Sequence, residues 1–315
     1  MEDSYCYPTH ERFDNFYFDR IKMMLDDAVA QMQIRMGWSL EECNEQVCKE
    51  ADLLSKGYKS GRKNLRYDVL PCRVGYLHTY VGAHAYMFEL GLRQESEKLR
   101  KRVRQHATLK IASVGGGPGT ELLGTLKLLT VPVMGRCTVV FRSWDVLDEW
   151  DDVFGIVARH CSADALRASR GQVQIDAQTR SASSTCDIDF ADEFGFAESP
   201  DIVSLQFVLS EHKNRPDDIV RLLQSVSYQI DHDALVVVTD SNDQRPPYVR
   251  EMINNAYSEA GLEPIHRVGI PRYVPDNRSA LVDYNRDFDR NPRIFFYPKG
   301  SSCPFTFVDV LRTKR

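Results

Sequence analysis

The apolar positions of this chain change their period near residue 107. Upstream, Phe13, Phe16, Phe18, Ile21, Met24, Leu25, Ala28 and Met32 recur at helical spacing within 12–56, which predicts amphipathic helix. Trp38-Ser39-Leu40-Glu41-Glu42 interrupts that run with a capping box, Ser39 and Glu42, and predicts a second helix start. A basic, glycine-containing connection follows at 57–66. The apolar and aromatic stretch from Cys72 to Leu92 predicts a buried helix, and 94–106 a charged one. Downstream, short apolar runs alternate with helical patterns. Candidate strands are 109–114, 137–143, a third at either 172–177 or 184–189, 202–208 and 234–240, with helices over 147–160 and 246–260. Two later runs, 293–297 and 305–311, predict a closing strand pair. This alternation predicts an α/β fold with a seven-stranded, mostly parallel sheet carrying helices on both faces. The division falls between an N-terminal helical region, 1–106, and a sheet domain, 107–315. Residues 272–292 predict a long loop, and loops of that length commonly carry function.

Composition narrows the class without choosing it. With 43% hydrophobic and 27% charged residues the chain of 315 residues is globular, and its net charge of −5 gives no global field favouring nucleic acid. No apolar run reaches the ~18–20 residues that span a bilayer. The N-terminus has neither a basic nor an apolar leader segment, so a cytoplasmic or nuclear location is expected. Eight cysteines are scattered without a C-x-x-C pair. They read as free thiols filling the core, with no metal site expected.

The chemistry is concentrated in 109–121, Leu-Lys-Ile-Ala-Ser-Val-Gly-Gly-Gly-Pro-Gly-Thr-Glu. An apolar strand pattern enters Gly115, Gly116, Gly117 and Gly119, and a helical pattern (Leu122, Leu123, Leu126) leaves them. A turn stripped of side chains lets a ligand touch the backbone, and the helix start behind it offers N–H donors. Glu121 in the first helical turn suits the helix dipole but repels a phosphate. The dinucleotide spacing G-x-G-x-x-G/A fails, because its last position is Thr120 or Leu122, and the phosphate loop G-x-x-x-x-G-K-[ST] is absent. The pattern that remains resembles the first motif of the class I S-adenosylmethionine-dependent methyltransferases, over about 109–315. The resemblance implies a Rossmann-like fold, S-adenosyl-L-methionine as cofactor, and methyl transfer to an N or O acceptor. It places Gly115, Gly116, Gly117, Gly119 and Glu121 beside the cofactor, whose ammonium and sulfonium tolerate a nearby carboxylate.

Other positions follow from the same resemblance. An acid at the end of the second strand would accept the ribose hydroxyls. Asp145 is best placed and Asp148 is the second candidate; the plain alternative is that they cap helix 147–160. A polar residue would meet the adenine amine, and 186–192 offers Asp187 or Asp189, with Phe190 to stack on the ring. The run 202–208 leads to Gln206, on the cofactor side, and to Ser210, Glu211 and His212, nearest the transferred methyl; Glu211 or His212 would serve as general base. Tyr76, Tyr80 and His84 share a helical face. The family commonly closes such a helix over its cofactor, which makes Tyr80 and His84 substrate-binding candidates, alongside Arg272 and Tyr273 of the long loop. The basic helix 98–104 offers a patch for nucleic acid, tempered by Glu95 and Glu97. RNA, protein and small-molecule acceptors stay open. A second reading is a non-catalytic S-adenosylmethionine-binding sensor or scaffold. A third is an NAD(P)-dependent oxidoreductase, disfavoured by the glycine spacing and by the lack of a Tyr-x-x-x-Lys pair.

Overall fold

Strands β1 (Thr108–Val114), β2 (Cys137–Asp145), β3 (Val173–Ser181), β4 (Ile202–Gln206), β5 (Leu235–Asn242), β6 (Leu262–Ile270) and β7 (Phe305–Thr313) form one sheet in the order β3-β2-β1-β4-β5-β7-β6. The first five run parallel, and β7 inserts antiparallel between β5 and β6. The computed structural model describes residues 15–59, 65–129, 136–182, 188–194, 199–212, 214–242, 249–270 and 305–314. The third strand takes the earlier of its two expected positions. β6 was not expected: Pro264, His266 and Arg267 dilute its apolar pattern, and its register with β7 shifts at Pro264/His266. The expected strand 293–297 lies outside the described residues.

The helices are α1 (Asn15–Met36), α2 (Leu40–Lys59), α3 (Leu70–Tyr76), α4 (Gly82–Leu92), α5 (Ser96–His106), α6 (Thr120–Leu129), α7 (Asp151–Ala168), α8 (Ala191–Phe194), α9 (Pro216–Tyr228) and α10 (Val249–Glu259). The capping box forms as expected: Glu42 N–H donates to Ser39 Oγ at 3.2 Å and Ser39 N–H to Glu42 Oε2 at 2.7 Å. The stretch expected as one buried helix is α3 and α4 joined by a π turn, Leu77–Val81. None of the described helices is long and apolar enough to cross a membrane.

Strand alternation divides the apolar residues between the two faces of the sheet. Leu109, Ile111, Val139, Val237 and Val308 pack in one core with Tyr17, Ile21, Met24 and Phe88 of the N-terminal helices. Ala112, Val114, Leu205, Val236 and Val238 pack on the other face with Leu222, Ile253 and Tyr257 of α9 and α10. Helices α1 to α4 therefore complete one layer of the sheet. Cys43, Cys72, Cys137 and Cys161 are buried free thiols. Burial pushes those of Cys72 and Cys137 up to about 11, as suits apolar filler.

Candidate functional site

The strand order reverses between β1 and β4, and open α/β sheets bind ligands beyond the strand ends at such a point. There the turn 115–119 joins β1 to α6. Gly115, Gly117 and Gly119 take φ of +65°, +45° and +76°, a region that side chains disfavour. Gly116 is excluded from substitution for another reason: a Cβ would stand 2.3 Å from Ser113 Oγ and 2.4 Å from Ser143 Oγ. The turn is thus pressed onto the ends of β1 and β2. Its other side opens on a cleft of about 570 Å³, a volume in the range of small-molecule sites.

Asp145 closes one end of this cleft. Its Oδ2 accepts the Gly117 N–H at 2.9 Å and its Oδ1 the Leu147 N–H at 3.1 Å, leaving each oxygen a further acceptor position. Burial raises its pKa against the opposing effect of those N–H bonds. Glu121 is fully buried behind the floor, where Ser204 Oγ donates to its Oε1 at 3.0 Å. Thr120 Oγ1 lies 3.1 Å from Glu121 Oε2 and 3.3 Å from Gln206 Oε1, so one hydroxyl serves two acceptors in turn. Burial also raises the Glu121 pKa, against hydrogen bonds that favour the ionised form. Gln206 Nε2 donates to the His84 carbonyl at 3.3 Å and ties the floor to α4.

Aromatic rings form the opposite wall. Tyr67, Tyr76 and Trp150 meet with centroids 5.3 Å apart for both tyrosines against the tryptophan. Tyr76 Oη lies 3.0 Å from His84 Nδ1, and His84 stacks at 4.5 Å on Phe207. Phe207 follows β4 with φ +57°, a strained conformation for a bulky residue. Beyond it, Glu211, His212, Arg215, Asp218 and Arg221 form a charged ledge. Asp218 holds Arg215 at 3.2 Å and also pairs with Arg221. Burial lowers the His212 pKa, with Arg215 adding to the effect, so its imidazole is neutral near pH 7.

The structure brings Gly115, Gly116, Gly117, Glu121, Asp145, Gln206, His84, Glu211 and His212 to this one cleft. Gly119 shapes the same turn. Ser210 is not among the lining residues: its N–H donates to Asp240 at 2.8 Å and its hydroxyl sits 3.5 Å from the Phe207 carbonyl. Asp189 accepts the Ala191 N–H at 2.9 Å, at the start of α8, and Phe190 packs inside the second core against Trp144. Neither lines the cleft, and Asp187, Arg272 and Tyr273 lie outside the described residues. Tyr76, Tyr80 and His84 do share a face, with ring centroids 5.2 to 5.8 Å apart, but Tyr80 stands behind the other two and does not line the cleft. Tyr67, Tyr76, Val146, Leu147, Trp150 and Phe207 line the cleft and were not selected from the sequence. Tyr76 had a signal in its spacing from His84, and Val146, 55% exposed beside Asp145, had one in its position. In the basic helix Lys98 pairs with Glu95, Arg100 and Arg104 with Glu97, and Arg102 with Asp201.

The donor set fits a cationic nucleoside better than a diphosphate. The floor presents two carboxyl groups, a bare glycine turn and apolar flanks, and the cleft's two guanidinium groups stand on the ledge, paired with Asp218. No family model matches the chain, and no curated protein matches it in sequence. Among solved structures it is similar to the mitomycin 7-O-methyltransferase MmcR, at 11% identity over 96% of this chain and 69% of that one, with a TM-score of 0.40. It is also similar to a DUF858-family S-adenosylmethionine-dependent methyltransferase of Leishmania major (11% identity, 96% and 87% covered, TM-score 0.40). A methyltransferase of Methanosarcina mazei aligns at 11% identity over 65% of this chain and 92% of its own, again with a TM-score of 0.40. The chain's own strand order, its antiparallel β7 and the glycine turn after β1 give it a Rossmann-like α/β fold with a seven-stranded, mostly parallel sheet.

Proposed function

We propose that the protein is an S-adenosylmethionine-dependent methyltransferase acting on an N or O acceptor. The observation that carries this reading is the coupling of Asp145 to the glycine turn through Gly117 N–H, at the mouth of a ligand-sized cleft. An acceptor carboxylate is thereby fixed where a ribose diol would meet it, and the turn is fixed where a side chain would exclude the ligand. Bound there, S-adenosylmethionine supplies an electrophilic methyl group on a sulfonium. The chain's own part is positioning and proton handling. Asp145 holds the ribose, Val146 and Leu147 flank the base, and Gln206 joins the floor to the aromatic wall. His212, neutral near pH 7, takes a proton from an acceptor lying between the wall and the ledge, with Glu211 beside it.

Calorimetric titration with S-adenosylmethionine and S-adenosylhomocysteine, with NADH as control, tests the reading on wild type and Asp145→Ala. Removing a charged acceptor from two hydroxyls costs about 3 kcal/mol, more than a hundredfold in affinity. Binding of the sulfur ligands that is lost in the variant supports the proposal. A response to NADH alone would overturn it.

A further inference from the structure

The floor of the cleft is electrostatically one-sided. Glu121 is fully buried, and among the described residues no cation pairs with it; it is met by the hydroxyls of Ser204, Thr120 and Ser113 and by its own backbone N–H. The groups facing it are Thr120 on its own helix, Ser113 of β1, Ser204 and Gln206 of β4, His84 of α4 through Gln206, and Asp145 of β2 across the cleft. None is a guanidinium or an ammonium. The lining cations Arg215 and Arg221 have side chains 70% and 67% exposed, so solvent screens them, and both pair with Asp218. A buried carboxylate without a counter-ion is costly, and a cationic ligand in the cleft relieves part of that cost.

Building on the cofactor reading above, we infer that Glu121 is a charge selector: its buried carboxylate favours the sulfonium cofactor over the neutral thioether left after transfer. S-adenosylmethionine and S-adenosylhomocysteine share ribose, adenine and amino-acid groups, so contacts to Asp145 cancel in the ratio of their affinities. What remains is the sulfonium's charge interacting with the carboxyl groups of the cleft, and the Glu121→Gln variant isolates the share of Glu121. Two unit charges about 10 Å apart at an effective dielectric constant of about 20 change that ratio by roughly tenfold. Product release is then built into the floor of the site, because the ligand loses its attraction to Glu121 when it loses its methyl group.

Burial raises the Glu121 pKa above the usual 4.5. A cation in the cleft stabilises the ionised form, so S-adenosylmethionine binding releases protons wherever Glu121 is partly protonated, and thioether binding releases fewer. The sign is fixed: the preference for the sulfonium is full at high pH and fades as pH falls through the raised pKa.

The test is calorimetry of both ligands on wild type and Glu121→Gln, at several pH values from about 5.5 to about 9, each in buffers of different ionisation enthalpy. Glutamine keeps the shape: the hydroxyl of Ser204 or Thr120 that faces its NH2 reverses to accept, while the other still donates to its carbonyl oxygen. The expected result is a roughly tenfold loss of sulfonium preference in the variant. Greater proton release in wild type for S-adenosylmethionine than for the thioether is expected with it. Equal ratios in both proteins, with equal proton release for both ligands, would overturn the selector while leaving the cofactor assignment intact. Failure of both ligands to bind wild type would overturn the two together. Should the variant not fold, the wild-type proton balance decides the question unaided.

Discussion

The aromatic wall of the cleft hangs on one buried ion pair, and breaking it from either side should give unequal results. Arg73 of α3 grips Asp152 of α7 through Nη2 at 2.7 Å and Nε at 3.1 Å, with side chains 6% and 9% exposed. Its Nη1 donates to the Tyr67 carbonyl at 2.6 Å, so one guanidinium joins the helix bearing Tyr76, the backbone of Tyr67 and the helix following Trp150. Arg35, half exposed, reaches Asp152 from α1 at 3.1 Å. Asp152→Leu therefore strands a buried guanidinium with a single carbonyl partner, at a cost of about 3–5 kcal/mol. Arg73→Met leaves Asp152 its bond to Arg35 and costs less, about 1–3 kcal/mol. With an unfolding entropy of about 2.1 cal/mol/K per residue over this length, each kcal/mol lowers Tm by about 1.5 °C. Asp152→Leu should melt about 5–8 °C below wild type by circular dichroism. The double variant Arg73→Met/Asp152→Leu should recover much of the loss, since apolar replacement of a buried pair is often neutral. A shift under about 1 °C for Asp152→Leu, or a double variant equal to the sum of the singles, would refute the idea that this pair holds the wall.

Three further outcomes are expected. Gly115→Ala combines a φ of +65° with a Cβ placed 2.5 Å from Val208 Cγ2; strain of about 1–2 kcal/mol plus that clash should abolish S-adenosylhomocysteine binding by calorimetry, while far-ultraviolet circular dichroism stays unchanged. Tyr17 donates to buried Glu89 at 2.7 Å, so Tyr17→Phe should lower urea stability by about 1–3 kcal/mol, a result contradicted by an unchanged midpoint. Burial alone would raise the Glu95 carboxyl, but hydrogen bonds from Lys98 and His266 and the charge of Arg312 hold it below 4.5. A depressed carboxylate contributes stability above its unfolded pKa and loses it as pH falls through the folded value. Glu95→Gln should therefore be destabilised at pH 7 and flatten the acid limb of the Tm–pH curve below about pH 4.5.

The legible parts of this chain are those set by local physics. Ser39 and Glu42 bond reciprocally because the cap needs only four consecutive residues. The glycine turn was readable because a bare backbone between strand and helix has few other uses, and Asp145 because strand β2 ends there. What escaped depends on distant parts of the chain. β6 is a strand because β7 offers it a partner 36 to 51 residues away, and its own Pro264, His266 and Arg267 argue against it. The resemblance put Asp189 and Phe190 at the adenine; with the strand at 173–181, Asp189 meets the Ala191 N–H and Phe190 joins the core. Tyr80 shares the face that helical spacing assigns it, but which member of that face meets the cleft depends on how the segment docks on the sheet. The positive φ of Phe207 has no local signature at all.

The same reasoning explains why the N-terminal helices belong to the site. Gly91 of α4 faces β7, where a Cβ would come within 2.6 Å of Val308 Cγ1, and Gly124 of α6 faces α4, where a Cβ would stand 2.5 Å from the Ala85 carbonyl oxygen. Gly75 of α3 lies against the backbone of α2, with Ala51 N at 3.1 Å. Gly91 and Gly124 mark points where two elements approach too closely for a methyl group, and Gly75 one where a methyl group would be tight, so together they seat α3 and α4 against the sheet and its neighbours. His84 and Tyr76 ride on that seated segment, and the Gln206 bond to the His84 carbonyl fixes its height over the floor. The aromatic wall is therefore held by packed helix rather than by loop, which limits how far it can yield when a ligand enters. In a site so braced, the charge on Glu121 acts from a fixed distance. A selector of sulfonium over thioether needs that rigidity, because a wall free to collapse onto the smaller ligand would restore the lost affinity through new contacts.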